Sequence, residues 1–203
     1  MSILKKLIML ITGVLTLSMG TVICMKTSLG IDPFNAFCIG VAKTISATLG
    51  PTALGINIVL IAIVLFFKKS LIGFGTVFIM SCLGYIISFF ESVIPDINFD
   101  FFSVPNIGTF IIGLLITCFG AALYFESMMG MAPYDCLAFI LSDRLGGKTF
   151  KYRVILDVTT ATVAFFLGGP ISLGTVMSAF GLGPFIDFFR VQINRYIVKS
   201  IKI

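Results

Sequence analysis

The 203-residue chain has a mean hydropathy of +1.13, with 58% hydrophobic and 11% charged residues. Soluble proteins carry about 25% charged residues, so this composition excludes an ordinary soluble domain. The net charge of +5 does not indicate nucleic-acid binding, because the basic residues stand at the ends of apolar runs. The sequence predicts an all-α polytopic membrane protein whose first partner is the lipid bilayer.

The first half of the chain predicts three membrane spans and one short helix. The spans cover residues 4–25, 51–67 and 71–90. Between the first two, a turn at residues 30–37 opens a helix that continues to about Thr48 and is too short to cross a bilayer. An acidic loop follows at residues 91–103.

The second half repeats this order. Spans are predicted at residues 105–125, 152–167 and 171–189, with a turn at 130–137 that opens a second short helix, ending near Leu145. A basic stretch at 144–153 follows the short helix. We therefore treat residues 1–203 as a single membrane domain with a first repeat at 1–95 and a second at 104–203.

The internal repeat is visible in individual residues as well as in hydropathy. Residues 71–90 match residues 170–189 at nine of twenty positions, and Asn57 corresponds to Asp157. Glycines and prolines also recur 100 residues apart. These are Gly13, Gly20, Gly30 and Pro33 in the first half and Gly113, Gly120, Gly130 and Pro133 in the second.

The charge distribution predicts that the second repeat is inverted in the membrane. If the short helices do not cross, twelve of the fourteen basic residues face the cytoplasm, with both termini, as the positive-inside rule requires. From Phe34 to Thr48 a helix rises about 21 Å, less than the ~30 Å hydrocarbon core. The predicted fold is six transmembrane helices in two inverted 3+3 repeats. A short re-entrant or interfacial helix follows the first span of each.

The short helices are expected to be amphipathic. Apolar residues at Phe34, Phe37, Val41 and Ile45 would form one stripe, which Tyr134, Leu137, Leu141 and Leu145 repeat in the second half. The other face would carry Asn35, Lys43 and Thr44 in the first short helix, and Asp135, Ser142 and Asp143 in the second.

The two interrupted turns are the candidate binding site. Gly30 and Gly130 permit the positive-φ turn that enters each short helix, and Pro33 and Pro133 suit its first turn. Free backbone amides and the positive dipole end of a short helix attract anionic or polar groups. Broken helices in matching positions of inverted repeats are a pointer to a transporter's binding site. The alternative is that these helices only complete the fold. The candidate substrate-binding residues are Gly30, Asp32, Pro33, Asn35, Asn57, Gly130, Pro133, Tyr134, Asp135 and Asp157.

Acidic residues inside predicted spans are candidates for coupling or gating, because a buried carboxylate is costly in a membrane. Asp157 and Asp187 could relay a proton or a cation, with Arg153 as partner. Local pairing is the alternative: Arg153 stands four residues before Asp157, and Arg190 three residues after Asp187. Asp135 is expected to stabilise the N-terminus of its helix.

Other chemistry is not expected from this sequence. His is absent and the five cysteines are scattered singly, so no cofactor or metal site is predicted. Without paired catalytic carboxylates or a nucleophile motif, we expect no enzyme.

Three short motifs carry a resemblance: GMAPYD at residues 130–135, Gly174-Thr175, and GPFID at residues 183–187. At these motifs the chain resembles the YczE/YitT-like group of bacterial integral membrane proteins. The resemblance covers nearly the whole chain and implies a bacterial inner-membrane location, but it names no chemistry. That group often has Trp after the proline, whereas this chain has Tyr134 and, in the first copy, Phe34.

The leading function from sequence is a small secondary transporter or exporter of a small metabolite or ion, with anionic and zwitterionic compounds as candidate substrates. The alternative is a non-transporting membrane regulator or subunit that acts through the basic loop at 144–153. No nucleic-acid partner is expected, and the sequence leaves a homodimer open.

Overall fold

The computed structural model describes residues 2–96, 99–101 and 103–195, and in these ranges the protein is all-helical, with no strand. Lys199, Lys202 and part of the acidic loop lie outside the described residues. The described part contains eight α-helices. They are α1 (Ile3–Lys26), α2 (Pro33–Thr44), α3 (Leu49–Lys68), α4 (Phe74–Val93), α5 (Val104–Glu126), α6 (Pro133–Leu145), α7 (Thr149–Phe166) and α8 (Leu173–Ile193).

Four helices in the described ranges are long and apolar enough to cross a membrane. They are Ile3–Lys26, Gly50–Leu71, Phe74–Val93 and Val104–Glu126, which correspond to the first four predicted spans. Helices α7 and α8 coincide with the predicted fifth and sixth spans but are not among these four. Their internal charges, such as Arg153 and Asp157 in α7 and Asp187 and Arg190 in α8, lower their apolar character.

The α1–α5 pair forms the centre of the protein through close backbone contact. Gly13 of α1 lies against Gly120 of α5, and Gly20 lies against Gly113, so the two helices run antiparallel. A β-carbon at Gly120 would lie 2.3 Å from the backbone nitrogen of Leu17. Only glycine permits this approach, which explains why the four positions recur in the repeat.

The main helix contacts define two groups. Helices α4 and α8 pack on the α1–α5 pair, while α2, α3, α6 and α7 pack on one another, and α8 joins the groups by contacting α7 and α2. Each short helix therefore lies inside the second group, in contact with both α3 and α7.

The short helices begin where predicted, but burial along them does not follow the apolar stripe. Burial alternates along both helices, and in α2 the buried residues are Pro33, Ala36, Cys38, Gly40 and Ala42. Ile45 and Leu145, at the ends of the two stripes, are 60% and 69% exposed. Neighbouring helices contact these short helices on more than one side, so small residues at several angles are buried instead of one stripe.

The turn before each short helix is hydrogen-bonded to the last helix of the other repeat. Gly174 at the start of α8 donates to the carbonyl of Leu29 at 2.8 Å, and Gly75 at the start of α4 donates to that of Met129 at 2.7 Å. The positive φ predicted at Gly30 and Gly130 is confirmed, at 142° and 109°. The last helix of each repeat thus binds the turn of the other repeat.

Candidate functional site

A buried ionic cluster joins α6 and α7. Arg153 forms an ion pair through Nη1 with the carboxylate of Asp135, and its Nε donates to Oδ2 of Asp157 at 3.0 Å. The side chains of Arg153, Asp135 and Asp157 are only 15%, 13% and 1% exposed. Local pairing of Arg153 with Asp157 is thereby confirmed, and Arg153 also reaches the first turn of the short helix α6.

Two tyrosines complete the cluster. The hydroxyl of Tyr124, on α5, donates to Asp135, and that of Tyr134 donates to Oδ1 of Asp157 at 2.7 Å. Thr160 Oγ1 lies 3.2 Å from the Tyr134 hydroxyl. The guanidinium of Arg153 stands 5.0 Å from the centroid of the Tyr134 ring. Every charged group in the cluster therefore has hydrogen-bond partners, which a buried charge requires.

The cluster carries an excess of negative charge when all its groups are ionised. One guanidinium faces two carboxylates, Asp135 and Asp157, so the sum is −1. A buried excess charge is costly, and a proton or a cationic group brought to this place would relieve it. The described residues contain no group of three His, Cys, Asp or Glu side chains placed to hold a metal ion.

The first repeat has the same backbone but no such cluster. The Asp32 carboxylate caps α2 by accepting from the Asn35 amide at 3.0 Å, and it also accepts from the Asn35 side chain. The Asn57 side chain donates to the Ala53 carbonyl at 2.9 Å. Among the described residues, no hydrogen bond joins these groups into one site. The predicted residues of the second repeat come together, while those of the first do not.

Phe34 links the two repeats at this place. Its ring stacks on that of Tyr134, with centroids 4.7 Å apart and an interplanar angle of 29°. The two aromatic residues that follow the repeated prolines therefore meet face to face. Each ring belongs to the residue that follows the first-turn proline of its helix, Pro33 or Pro133.

A second buried ion pair corrects the predicted pairing of Asp187. Arg190 of α8 donates through Nε to Glu126, at the end of α5, at 3.0 Å, and its guanidinium lies 4.9 Å from the Phe139 ring centroid. The Glu126 side chain is only 4% exposed, so water cannot replace Arg190 as its partner. Asp187 is half-buried and forms no ion pair within the described residues.

A small cavity lies between the two ionic groups. It has about 20 Å³ of free volume, room for about one water molecule. Asp135, Arg153, Asp187 and Arg190 contribute its polar lining. Of the predicted coupling residues, Arg153 and Asp187 line this cavity, while Asp157 is joined to it through its ion pair with Arg153.

A larger cleft opens at the turn of the first repeat. Its volume is about 270 Å³, and it is lined by Met25, Ser28, Gly30, Ile31, Pro170, Ile171 and Ser172. The equivalent junction in the second repeat is closed, because Met131 donates to the carbonyl of Leu71 at 3.2 Å and Thr76 donates to that of Met131 at 2.8 Å. The first turn is also held, because the hydroxyl of Ser172 donates to the carbonyl of Leu29, but it borders this cleft.

The basic stretch at 144–153 is only partly available to a partner. Arg153 is buried in the cluster, and the guanidinium of Arg144 lies 4.3 Å from the Phe67 ring centroid. Lys148 lies 5.9 Å from the centroid of the Phe150 ring. Arg144, Lys148 and Lys151 are nevertheless exposed.

The helix lengths, the apolar surfaces and the buried charge cluster define a polytopic helical membrane protein. The chain belongs to a family of unknown function, DUF6198, whose model matches residues 4–191. It is 24% identical over 181 residues to the uncharacterized membrane protein YczE of Bacillus subtilis, covering 89% of this chain and 83% of that protein. The resemblance to the YczE-like group is confirmed.

Two further relatives carry no functional name. The uncharacterized protein YyaS of Bacillus subtilis is 27% identical over 192 residues, 93% of this chain and 94% of its own length. An uncharacterized protein of Haemophilus influenzae is 34% identical over 85 residues, 42% of this chain and 39% of its own length. No solved structure matches this chain.

Proposed function

We propose that the protein is a small secondary transporter of the bacterial inner membrane, built from six spans in two inverted repeats. The observation that carries the proposal is the buried, net-negative cluster of Asp135, Arg153 and Asp157 at an interrupted helix. Buried ionisable groups in a membrane protein are most often part of an ion or substrate pathway. Interrupted helices at matching positions of two repeats are a second feature of such transporters.

Three polar contacts support the inverted arrangement, because each joins groups that it puts on the same membrane face. Lys68 pairs with Asp143 on the cytoplasmic face, and Lys26 pairs with Asp96 on the outer face. Lys43 donates to the carbonyl of Gly168, also outside, at 2.9 Å. If the short helices crossed the membrane, the members of each pair would be on opposite faces. The antiparallel α1–α5 contact favours the same arrangement.

The charges of the two halves suggest how such a transporter would use its site. The cluster of the second repeat lies towards the cytoplasm, while the open cleft at Gly30 lies towards the outside. The amide at the start of α2 is already capped by Asp32, so an anionic group finds little free positive charge there. The excess carboxylate beside Arg153 favours a proton as coupling ion and a zwitterionic or cationic substrate.

Transport by purified protein in liposomes tests the proposal. A panel of small zwitterionic and cationic metabolites is supplied outside, and substrate uptake is followed together with internal pH. We expect at least one substrate to drive proton movement, and Asp157→Asn to abolish the coupled flux. Lys151→Gln, an exposed change on the same helix, is the matched control and should transport normally. Absence of flux across the whole panel with folded protein would refute the proposal.

A further inference from the structure

The last two helices of each repeat are packed differently in the two halves. In the second repeat α7 lies along α8. A β-carbon at Gly183 of α8 would be 2.9 Å from the carbonyl oxygen of Phe150 and 3.0 Å from Cγ2 of Val154 on α7. Gly183 thus makes a close helix–helix contact between the middle of α8 and the first turns of α7, which begins on the cytoplasmic side in the proposed topology.

The equivalent contact in the first repeat is open. Gly84 of α4 corresponds to Gly183, and Gly50 and Leu54 of α3 correspond to Phe150 and Val154. A β-carbon at Gly84 or at Gly50 would meet no atom within 4 Å, and Leu54 is 55% exposed. The same glycine that packs in one repeat is therefore unpacked in the other.

Two other contacts differ in the same direction. The turn at Gly30 borders a cleft, whereas beside the turn at Gly130 the amide of Met131 donates to the carbonyl of Leu71. Tyr124 of α5 donates to Asp135 of α6 and so joins the two helix groups on the cytoplasmic side. Its counterpart in the first repeat is Cys24, whose thiol contacts the carbonyl of Phe110 instead of Asn35. In each comparison the contact is made in the second repeat, towards the cytoplasm, and its equivalent in the first repeat, towards the outside, is not made within the described residues.

We propose that the protein alternates with a second arrangement in which α3 closes on α4, with Gly84 seated against Gly50 and Leu54, while the α7–α8 contact at Gly183 opens. The sequence supports this arrangement because the first repeat keeps a glycine at the position that the second repeat uses for contact. The proposal rests on the proposed inverted-repeat transporter, of which the present structure is the outward-open, inward-closed state. Two such packings of one sequence need differ by only a few kcal/mol.

Disulfide formation between α3 and α4 tests this arrangement directly. Leu54→Cys and Gly84→Cys are introduced together in a cysteine-free background and oxidised in native membranes. Both positions are open in the present structure, so neither substitution should prevent folding. We expect an intramolecular disulfide. Val59→Cys with Gly84→Cys, an exposed pair on another face of α3, should not form one.

Weakening the cytoplasmic contact should increase this crosslink. Tyr124→Phe removes the hydrogen bond to Asp135, and losing one such bond shifts a two-state population by about two- to tenfold. The rate of disulfide formation should rise accordingly. A positive control pairs cysteines at Gly40 and Leu167, where a β-carbon at Gly40 would lie 3.0 Å from that of Leu167.

Two outcomes would overturn the proposed closure. One is absence of the Leu54–Gly84 disulfide, with and without Tyr124→Phe, while the control pair reacts. The other is a disulfide found only between two copies of the chain. The crosslink requires no substrate, so its failure leaves the transport result unaffected. A crosslink without flux across the panel would instead refute the transporter and keep the motion.

Discussion

Replacing Arg153 should destabilise the protein far more than replacing either of its acidic partners. In Arg153→Gln, the carboxylates of Asp135 and Asp157 remain buried without a cation, and the charge of the cluster goes from −1 to −2. In Asp157→Asn, by contrast, the Arg153–Asp135 pair survives and the sum is zero. Breaking a buried pair by removing one partner costs about 3–5 kcal/mol. Losing a hydrogen-bonded carboxylate while the rest stays paired costs about 1–3 kcal/mol.

These magnitudes predict separable thermal shifts. For a chain of this size each kcal/mol lowers the midpoint by roughly 2–4 °C, so Arg153→Gln should lower it by roughly 6–20 °C. A fluorogenic thiol reagent suits the measurement in detergent, because Cys38, Cys118 and Cys136 are fully buried and react only on unfolding. Lys151→Gln on the same helix is the control and should leave the midpoint unchanged.

The double variant sharpens this test. Adding Asp157→Asn to Arg153→Gln removes one of the two unpaired carboxylates, so the double variant should be more stable than Arg153→Gln alone. Equal midpoints for Arg153→Gln and Asp157→Asn, or a double variant with the sum of both losses, would refute the charge argument. Either result would mean that packing around α7, and not the balance of buried charge, determines stability here.

Other predictions follow from the packing and the topology. Gly120→Ala should lower the thermal midpoint by roughly 4–12 °C, because its β-carbon meets backbone and costs about 2–3 kcal/mol, whereas Gly108→Ala in the same helix should not lower it. Equal effects would contradict the close approach. Cysteines at Thr48 and Lys148, both exposed at the starts of matching helices, should react with a membrane-impermeant thiol reagent from opposite faces. Labelling of both from one face would exclude inversion. Tyr134→Phe should cost about 1–3 kcal/mol in the same thermal assay through its lost buried hydrogen bond, and an unchanged midpoint would contradict that bond.

The helices could be predicted because their signals are local. Apolar runs of span length gave the long helices, and Pro33 and Pro133 marked the starts of the short ones. The positive φ at Gly30 and Gly130 followed from the type of turn that joins a span to a helix beginning with proline. These properties depend on a few neighbouring residues, which is the range over which a single sequence is informative.

The side-chain partners could be predicted only where they are close in sequence. Arg153 and Asp157, four residues apart on one helix, were predicted as a pair. Arg190 was assigned by the same rule to Asp187, but its partner is Glu126, 64 residues away. A spacing rule cannot rank a local partner against a distant one that burial favours. Nor could it reveal Tyr124, which lies eleven residues before Asp135 and on a different helix.

Burial in the short helices does not follow the apolar stripe for a related reason. A hydrophobic stripe predicts burial when a helix rests on one surface, but α2 and α6 are contacted by helices on several sides. Burial then depends on how closely each neighbour approaches, so small residues such as Ala36 and Gly40 are more buried than Phe37. This burial is what an interrupted helix inside a membrane needs, since its exposed backbone ends must be covered by protein.

The unequal packing of the two repeats is best explained by one backbone plan with different polar groups. Both halves keep the glycines that permit close contact, but Arg153, Asp157 and Tyr124 stand where the first half has Ala53, Asn57 and Cys24. Hydrogen bonds and ion pairs therefore hold the second repeat closed, while little but apolar contact could hold the first. A transporter built this way would rest with its cytoplasmic side sealed, and a proton reaching Asp157 would weaken that seal. The resting state of such a transporter would thus depend on these polar substitutions, together with that of Asn35 by Asp135, between two similar repeats.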